Sequence, residues 1–287
     1  MGNNKKENIY KTLSSYKKQL EEKGYNVIYI SLYGSQNYNL DDEYSDIDAR
    51  AVVLLSLKDL IKRKSISTTI DLDKGQVDIK DVASYVEQLR KGNPAYTETA
   101  QTEYYIGDKE FRKLIEPYEY NPMAAIGMMH EKRKAIEKYL PSSLDLKENE
   151  YDPKQYHHIV RLYNLLYDGV VEYNGVERDD MMILKREQYL SRDEVLSKAS
   201  YLIEDVKNIY FDYQQPKEND KINEWLEKQY INTRDGLLSN PIIALEQHRT
   251  FGGDLPRNVR RALTDEQLEL VEGKDVQIVT TYEIEVY

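Results

Sequence analysis

The feature that most constrains this chain is a pair of acids at the mouth of an apolar strand, placed shortly after another strand ends in a Gly-Ser turn. Val27-Ile28-Tyr29-Ile30-Ser31-Leu32 is apolar and β-branched and reads as a buried strand. It runs into Tyr33-Gly34-Ser35, and ten positions after Ser35 the segment Ser45-Asp46-Ile47-Asp48 begins. The next strand is expected to span Asp46 to Leu54, polar at its start and buried at its end. Side chains alternate faces along a strand, so Asp46 and Asp48 share a face with Cα atoms roughly 6.5–7 Å apart. Carboxylates that close suit Mg²⁺, which takes oxygen ligands at about 2.0–2.1 Å. Two such ions about 3.5–4 Å apart are the usual engine of phosphoryl transfer. Backbone N–H groups at Gly34-Ser35 and the Ser35 hydroxyl are candidates for the outer phosphates. Arg50 stands where a calcium loop would want its third acid.

A third carboxylate is then wanted from a neighbouring strand. Asp78, flanked by Val77 and Ile79, is the candidate, and burial would oblige it to find a metal or a cationic partner. Asp81 is the fallback, although its place before a helical pattern fits a cap. Arg50 shares the parity of Asp46 and Asp48. It suits either a phosphate contact or an ion pair that orients the carboxylates.

Organisation along the chain follows the change in hydrophobic period. Ile9, Leu13, Tyr16 and Leu20 form one stripe on a helix over Lys5–Lys23, stopped by Gly24. Ser56 to Asp59 opens a short helix. Thr68–Asp71 and Gln76–Ile79 bracket Asp73-Lys74-Gly75 as a hairpin, and a helix follows from Lys80 to Arg90. Helices are expected from Asn121-Pro122 to about Tyr139 and over Lys154–Glu172. Others are expected from the Ser191–Glu194 capping box to about Tyr210 and over Lys221–Leu237. Val276 to Tyr287 alternates like a strand, and from Leu263 onward seven acids face one lysine. The expected class is α+β: an N-terminal mixed sheet with flanking helices, a helical domain, then a short β-like tail. The expected domains are 1–104, 105–240 and 241–287.

Composition narrows the chemistry. Cysteine is absent, which excludes a thiolate metal centre, and 4 histidines in 287 residues leave little room for a histidine-rich one. A net charge of −11 argues against nonspecific binding to polyanions. The longest apolar run, Ala51–Leu55 once Arg50 is passed, is too short for a membrane span, and Met1–Glu7 lacks the apolar region of a secretory signal. A cytoplasmic protein with no membrane partner is expected. Tyrosine outnumbers phenylalanine 26 to 3, which amphipathic core filling explains in part.

The order of Gly34-Ser35, Tyr38-Asn39-Leu40 and Ser45-Asp46-Ile47-Asp48-Ala49-Arg50-Ala51 resembles the nucleotidyltransferases of the DNA polymerase β superfamily, and more closely their YcgL-like branch. Val77-Asp78-Ile79, Lys91-Gly92-Asn93-Pro94 with Glu98, and His158-Ile159-Val160-Arg161-Leu162 extend the likeness, as do Ile183–Arg186 and Leu190–Val195. It covers about Asn26 to Leu237. Asn39 and Ala51 replace expected glycines, and asparagine tolerates a left-handed backbone. The resemblance implies Mg²⁺- or Mn²⁺-dependent transfer of a nucleoside monophosphate from an NTP to an acceptor hydroxyl of RNA, protein or a small molecule. Asp46, Asp48 and Asp78 would be catalytic metal ligands. Gly34, Ser35, Arg50, His158 and Arg161 would bind the nucleotide.

Other features carry weaker signals. Lys154 shares the His158–Arg161 face, and Lys132, Arg133, Lys134 and Lys138 form a basic cluster that reads as surface or as an RNA-backbone contact. Phe251–Asp254 with Arg257, Arg260 and Arg261 is similarly open, and Met128-Met129 and Met181-Met182 read as core. The rival readings are a nucleotide-binding, antitoxin-like regulatory module with little turnover, and a glycosyltransferase holding a nucleotide sugar. Against the latter, only 45 residues precede Asp46.

Overall fold

The computed structural model describes residues 2–42, 45–138, 151–214, 221–238, 249–250 and 276–277. The chain divides into two compact units, Met1–Leu55 with Lys64–Glu218, and Ser56–Arg63 with Asn219–Tyr287.

The first unit begins with helix α1 (Gly2–Glu22), whose Ile9, Leu13, Tyr16 and Leu20 are fully buried. The helix stops at Gly24, whose φ of 89° only glycine adopts at low cost. Strands β1 (Val27–Leu32), β2 (Ala49–Val53), β3 (Ser67–Leu72), β4 (Gly75–Asp81) and β5 (Tyr105–Gly107) form one sheet in the order β3-β4-β2-β1-β5. The β2–β4 pair is parallel and the other pairs are antiparallel. The class is therefore α+β with a mixed sheet. Ala49, Ala51 and Val53 pack with Val77, Ile79 and the α1 stripe. By alternation, Arg50 points to the opposite face.

Helices α3 (Val82–Arg90), α4 (Pro94–Gln101) and α5 (Lys109–Ile115) flank the sheet segments in sequence. Asp81 caps α3, accepting the Ser84 N–H at 2.9 Å, so the cap reading of this acid holds. The helical half comprises α6 (Pro122–Glu137), α7 (Pro153–Asp168), α8 (Gly175–Arg186) and α9 (Arg192–Ile209). Ala125, Ile126 and Met129 of α6 pack against Ile159, Leu162 and Leu166 of α7 and Val195, Ala199 and Ile203 of α9. The Ser191–Glu194 capping box is formed.

The second unit contains α2 (Leu57–Ile61), capped by Ser56, and α10 (Lys221–Leu238), which buries Ile222 and Trp225. It also contains a two-residue ladder of β6 (Arg249–Thr250) with β7 (Val276–Gln277).

Three expectations are corrected. The second strand starts at Ala49 rather than Asp46, because the preceding backbone bonds to a loop and a turn instead of a neighbouring strand. Tyr33 N–H donates to Asp48 O at 2.9 Å and Ile47 N–H to Lys74 O at 3.0 Å. The Lys154–Glu172 helix ends at Asp168, closed by left-handed Gly169. Helices α4, α5 and α8 and strand β5 were not expected, although Asn93-Pro94 opens α4 with the same cap and proline that open α6. Of the expected terminal strand, Val276–Gln277 is described. Its remainder, Phe251–Asp254 and Arg257, Arg260 and Arg261 lie outside the described residues.

Candidate functional site

The Gly34-Ser35 turn and the two acids meet. Gly34 adopts φ 82° and ψ −155°, and Ser35–Tyr38 forms a 3₁₀ turn closed by left-handed Asn39 at φ 56°. A Cβ on Gly34 would lie 3.3 Å from Asp48 Oδ2, so the missing side chain is what lets this turn approach the carboxylate. The β3–β4 turn closes the other side, with Gln76 N–H donating to Asp48 Oδ1 at 3.1 Å. A Cβ on Gly75 would sit 2.7 Å from Ile47 O, so this approach also requires glycine.

Within this frame, Asp48 is half-buried and Asp46 is exposed. Burial pushes the Asp48 carboxyl above its ordinary range, and the neighbouring Asp46 charge pushes the same way. Among the described residues, neither carboxylate has an ion pair and that of Asp46 accepts no hydrogen bond. The Ser35 hydroxyl makes no hydrogen bond among them either. Two like charges are thus held together beside a turn, without a cation.

Asp78 is placed differently. In the β2–β4 register it stands opposite Arg50, while Ala49 stands opposite Val77. Asp78 is thus one strand repeat, roughly 6.5–7 Å, further into the sheet than the position opposite Asp48. Arg50 Nε donates to Asp78 Oδ2 at 2.8 Å, and Lys80 Nζ lies 3.4 Å from Oδ1. The Arg50 guanidinium also donates to Ala95 O and is sandwiched over the rings of Tyr33 and Tyr96, at 4.5 and 3.9 Å. It is only 4% exposed. Among the described residues no group of three or more histidine, aspartate or glutamate side chains is arranged to hold a metal ion. Of the three expected ligands, Asp78 is thus already paired with a cation, whereas Asp46 and Asp48 are not.

A second constellation joins the motif to the helical half. Buried Glu98 accepts from the Tyr38 hydroxyl and from Arg161, each at 2.5 Å. The Arg161 guanidinium lies 4.1 Å from the centroid of the Tyr38 ring. Arg161 is therefore an internal partner of Glu98. On the same helix, burial and then neighbouring cations push His158 down to about 4. Burial likewise pushes His157 down to about 3, and its Nε2 has no hydrogen-bond partner. Both are neutral at pH 7, so any contact His158 makes with a phosphate is a hydrogen bond rather than an ion pair. Lys154 is exposed.

The depressed His157 sets an acid limit on stability. The unfolded chain takes up a proton near pH 6.5 that the folded state refuses until about pH 3, so stability falls as pH drops below 6.5. The cost is about 2 kcal/mol between pH 7 and pH 5 for this one group. Urea unfolding at the two pH values should show it, and His157→Leu should reduce the dependence by about 2 kcal/mol, leaving the similar part that His158 contributes.

The sequence reading missed the residues that hold the loop after Tyr38. Arg178 donates to Asn39 O at 2.8 Å and to Asp41 O at 2.7 Å, and Lys185 donates to Leu40 O at 2.8 Å. Arg186 pairs with Asp42, and Lys5 with Asp41 at 2.6 Å. Three of the four cations lie on α8, more than a hundred residues from the loop, and Glu177, Asp179 and Asp180 share that helix with them, so no charge pattern in the sequence pointed to this. In the basic cluster of α6, Arg133 donates to Ser200 at 2.8 Å and pairs with Glu137 at 3.4 Å.

No family model matches the chain, and no curated protein does. One solved structure that aligns with it is a nucleotidyltransferase-like protein from Exiguobacterium sibiricum 255-15. The two are 12% identical over 86% of this chain and 96% of that one, with a TM-score of 0.26. At that score the alignment establishes neither fold nor activity for this chain. No helix among the described residues is long and apolar enough to cross a membrane.

Proposed function

We propose that this chain binds a nucleoside triphosphate as its Mg²⁺ or Mn²⁺ complex and transfers the nucleotidyl group to an acceptor hydroxyl. The observation that carries the reading is the uncompensated Asp46–Asp48 pair, held beside the Gly34-Ser35 turn. Mg²⁺ is commonly bound by one or two carboxylates together with substrate phosphates, and this pair fits that donor set. A bound divalent ion would screen the triphosphate and polarise the phosphoryl group under attack. Asp46 and Asp48 would hold it, and Gly34 N–H and the Ser35 hydroxyl would orient the outer phosphates. The acceptor oxygen would bond to the α-phosphorus as the α–β bridging P–O bond breaks. Pyrophosphate leaves, and the hydroxyl proton passes to water.

The pairing of Asp78 with Arg50 favours a second reading, a nucleotide-binding regulatory module with little turnover. Incubation with each α-labelled NTP, Mg²⁺ and whole-cell lysate separates the two. Label entering RNA, protein or a small molecule with pyrophosphate release supports transfer. Divalent-dependent binding without release supports the module, and no divalent-dependent binding removes both. Because Asp48 is raised, cation-dependent binding should weaken on acidification at a higher pH than at an ordinary carboxylate site. Titrating binding from pH 7.5 down to pH 4.5 checks this.

A further inference from the structure

We propose that Asn37 and Thr102 are positioning residues: the hydrogen bond between their side chains fixes the direction in which the Gly34-Ser35 turn presents its N–H and hydroxyl to phosphate. The proposal rests on the nucleotide reading above and adds to it the residues that hold the turn. Gly34 can approach Asp48 because it has no side chain, but for the same reason nothing of its own holds it there. The restraint comes from the three residues after Ser35. Gln36 Nε2 donates to Asp46 O at 3.3 Å, the Thr102 hydroxyl donates to Asn37 Oδ1 at 2.6 Å, and the Tyr38 hydroxyl donates to Glu98. Among the described residues, Ser35 is the one member of the turn whose side chain has no partner.

Asn37 is well placed to transmit such a restraint. Its N–H donates to Gly34 O at 3.0 Å, so the backbone of the turn closes directly from Asn37 onto Gly34. Thr102 is held just as closely. It is 7% exposed at the end of α4, where its N–H donates to Glu98 O at 3.0 Å. Its hydroxyl also accepts the Tyr104 N–H at 3.3 Å, and Tyr104 O accepts the Leu32 N–H at 2.9 Å. The turn is thus tied, through Thr102, to the end of the strand it leaves. Glu98 lies four positions before Thr102 on the same face of α4, so one helix grips both Asn37 and Tyr38. Groups that are oriented before the ligand arrives avoid an ordering cost on binding, and that cost returns when the restraint is removed.

Titration calorimetry of the whole chain with MgCl₂ and the α,β-methylene analogue of each NTP tests this, with urea unfolding of every variant alongside. Thr102→Val, which keeps the shape and removes the hydroxyl, should weaken binding by about 10-fold, and so should Asn37→Ala. Thr102→Ser keeps the hydroxyl and should stay within about 2-fold of the parent. The double variant of Asn37→Ala with Thr102→Val should bind no more weakly than either single one, because both remove the same bond. Binding within about 2-fold of the parent in folded Thr102→Val and Asn37→Ala, even at reduced stability, means that the bond serves the fold alone and overturns the proposal. A Thr102→Ser variant as weak as Thr102→Val overturns it too, as does a double variant weakened by the product of the two losses. Each of these results leaves the nucleotide reading standing. If the parent chain binds no analogue, both are overturned.

Discussion

Glu98→Ala is expected to destabilise the first unit by about 3–5 kcal/mol, the cost of leaving one member of a buried ion pair alone. Glu98 and Arg161 are both about 5% exposed at the side chain, and Glu98 also accepts the Tyr38 hydroxyl. Removing the carboxylate leaves a guanidinium and a phenol without their acceptor. The Arg161 Nε already lacks a hydrogen-bond partner, so little remains to compensate. Arg161→Ala should cost a comparable amount, and the double variant should cost clearly less than the sum of the two. Urea unfolding of the four proteins measures this coupling. A loss of less than about 1 kcal/mol for Glu98→Ala would mean that water reaches the pair and that it is not the buried link described here.

The carboxylate pair should behave in the opposite way. Asp46→Asn with Asp48→Asn is expected to leave stability unchanged or slightly increased while divalent-dependent nucleotide binding falls by more than about 100-fold. The sign follows from the raised Asp48 carboxyl. A group whose folded pKa lies above its unfolded value contributes stability only while protonated, and that contribution is lost as pH rises through the folded pKa. At neutral pH the ionised Asp48 therefore works against folding, and neutralising it removes that penalty. Thermal unfolding beside nucleotide titration with and without EDTA reads both effects. Equal binding by variant and parent would remove the pair from the site.

How much of this was legible in advance differs from residue to residue. The α1 stripe, the Asp81 and Ser191 caps, the β3–β4 hairpin and the left-handed Asn39 were all readable, because each depends on neighbours within a few positions. The convergence of Gly34 with Asp48 was also foreseeable, since a turn between two adjacent strands must return to the strand edge it left. Arg50 was undecided between a phosphate and a carboxylate, and strand parity alone could not choose. The parallel β2–β4 register chose, setting Asp78 rather than Asp46 or Asp48 opposite it.

The same division holds for the whole chain. By itself the sequence determined the α+β class, the pairing of a Gly-Ser turn with an Asp-x-Asp edge, and a site without thiolates. These follow from side-chain period, local turn chemistry and composition. Only the tertiary structure decided which charges are already neutralised. Asp78 with Arg50, Glu98 with Arg161, and the Asn39–Asp42 loop with Arg178, Lys185 and Arg186 are contacts between residues 28 to 145 positions apart. Whether a carboxylate is left free for a cation depends on such distant partners, because burial makes each unpaired charge costly and so fixes who must stand beside whom.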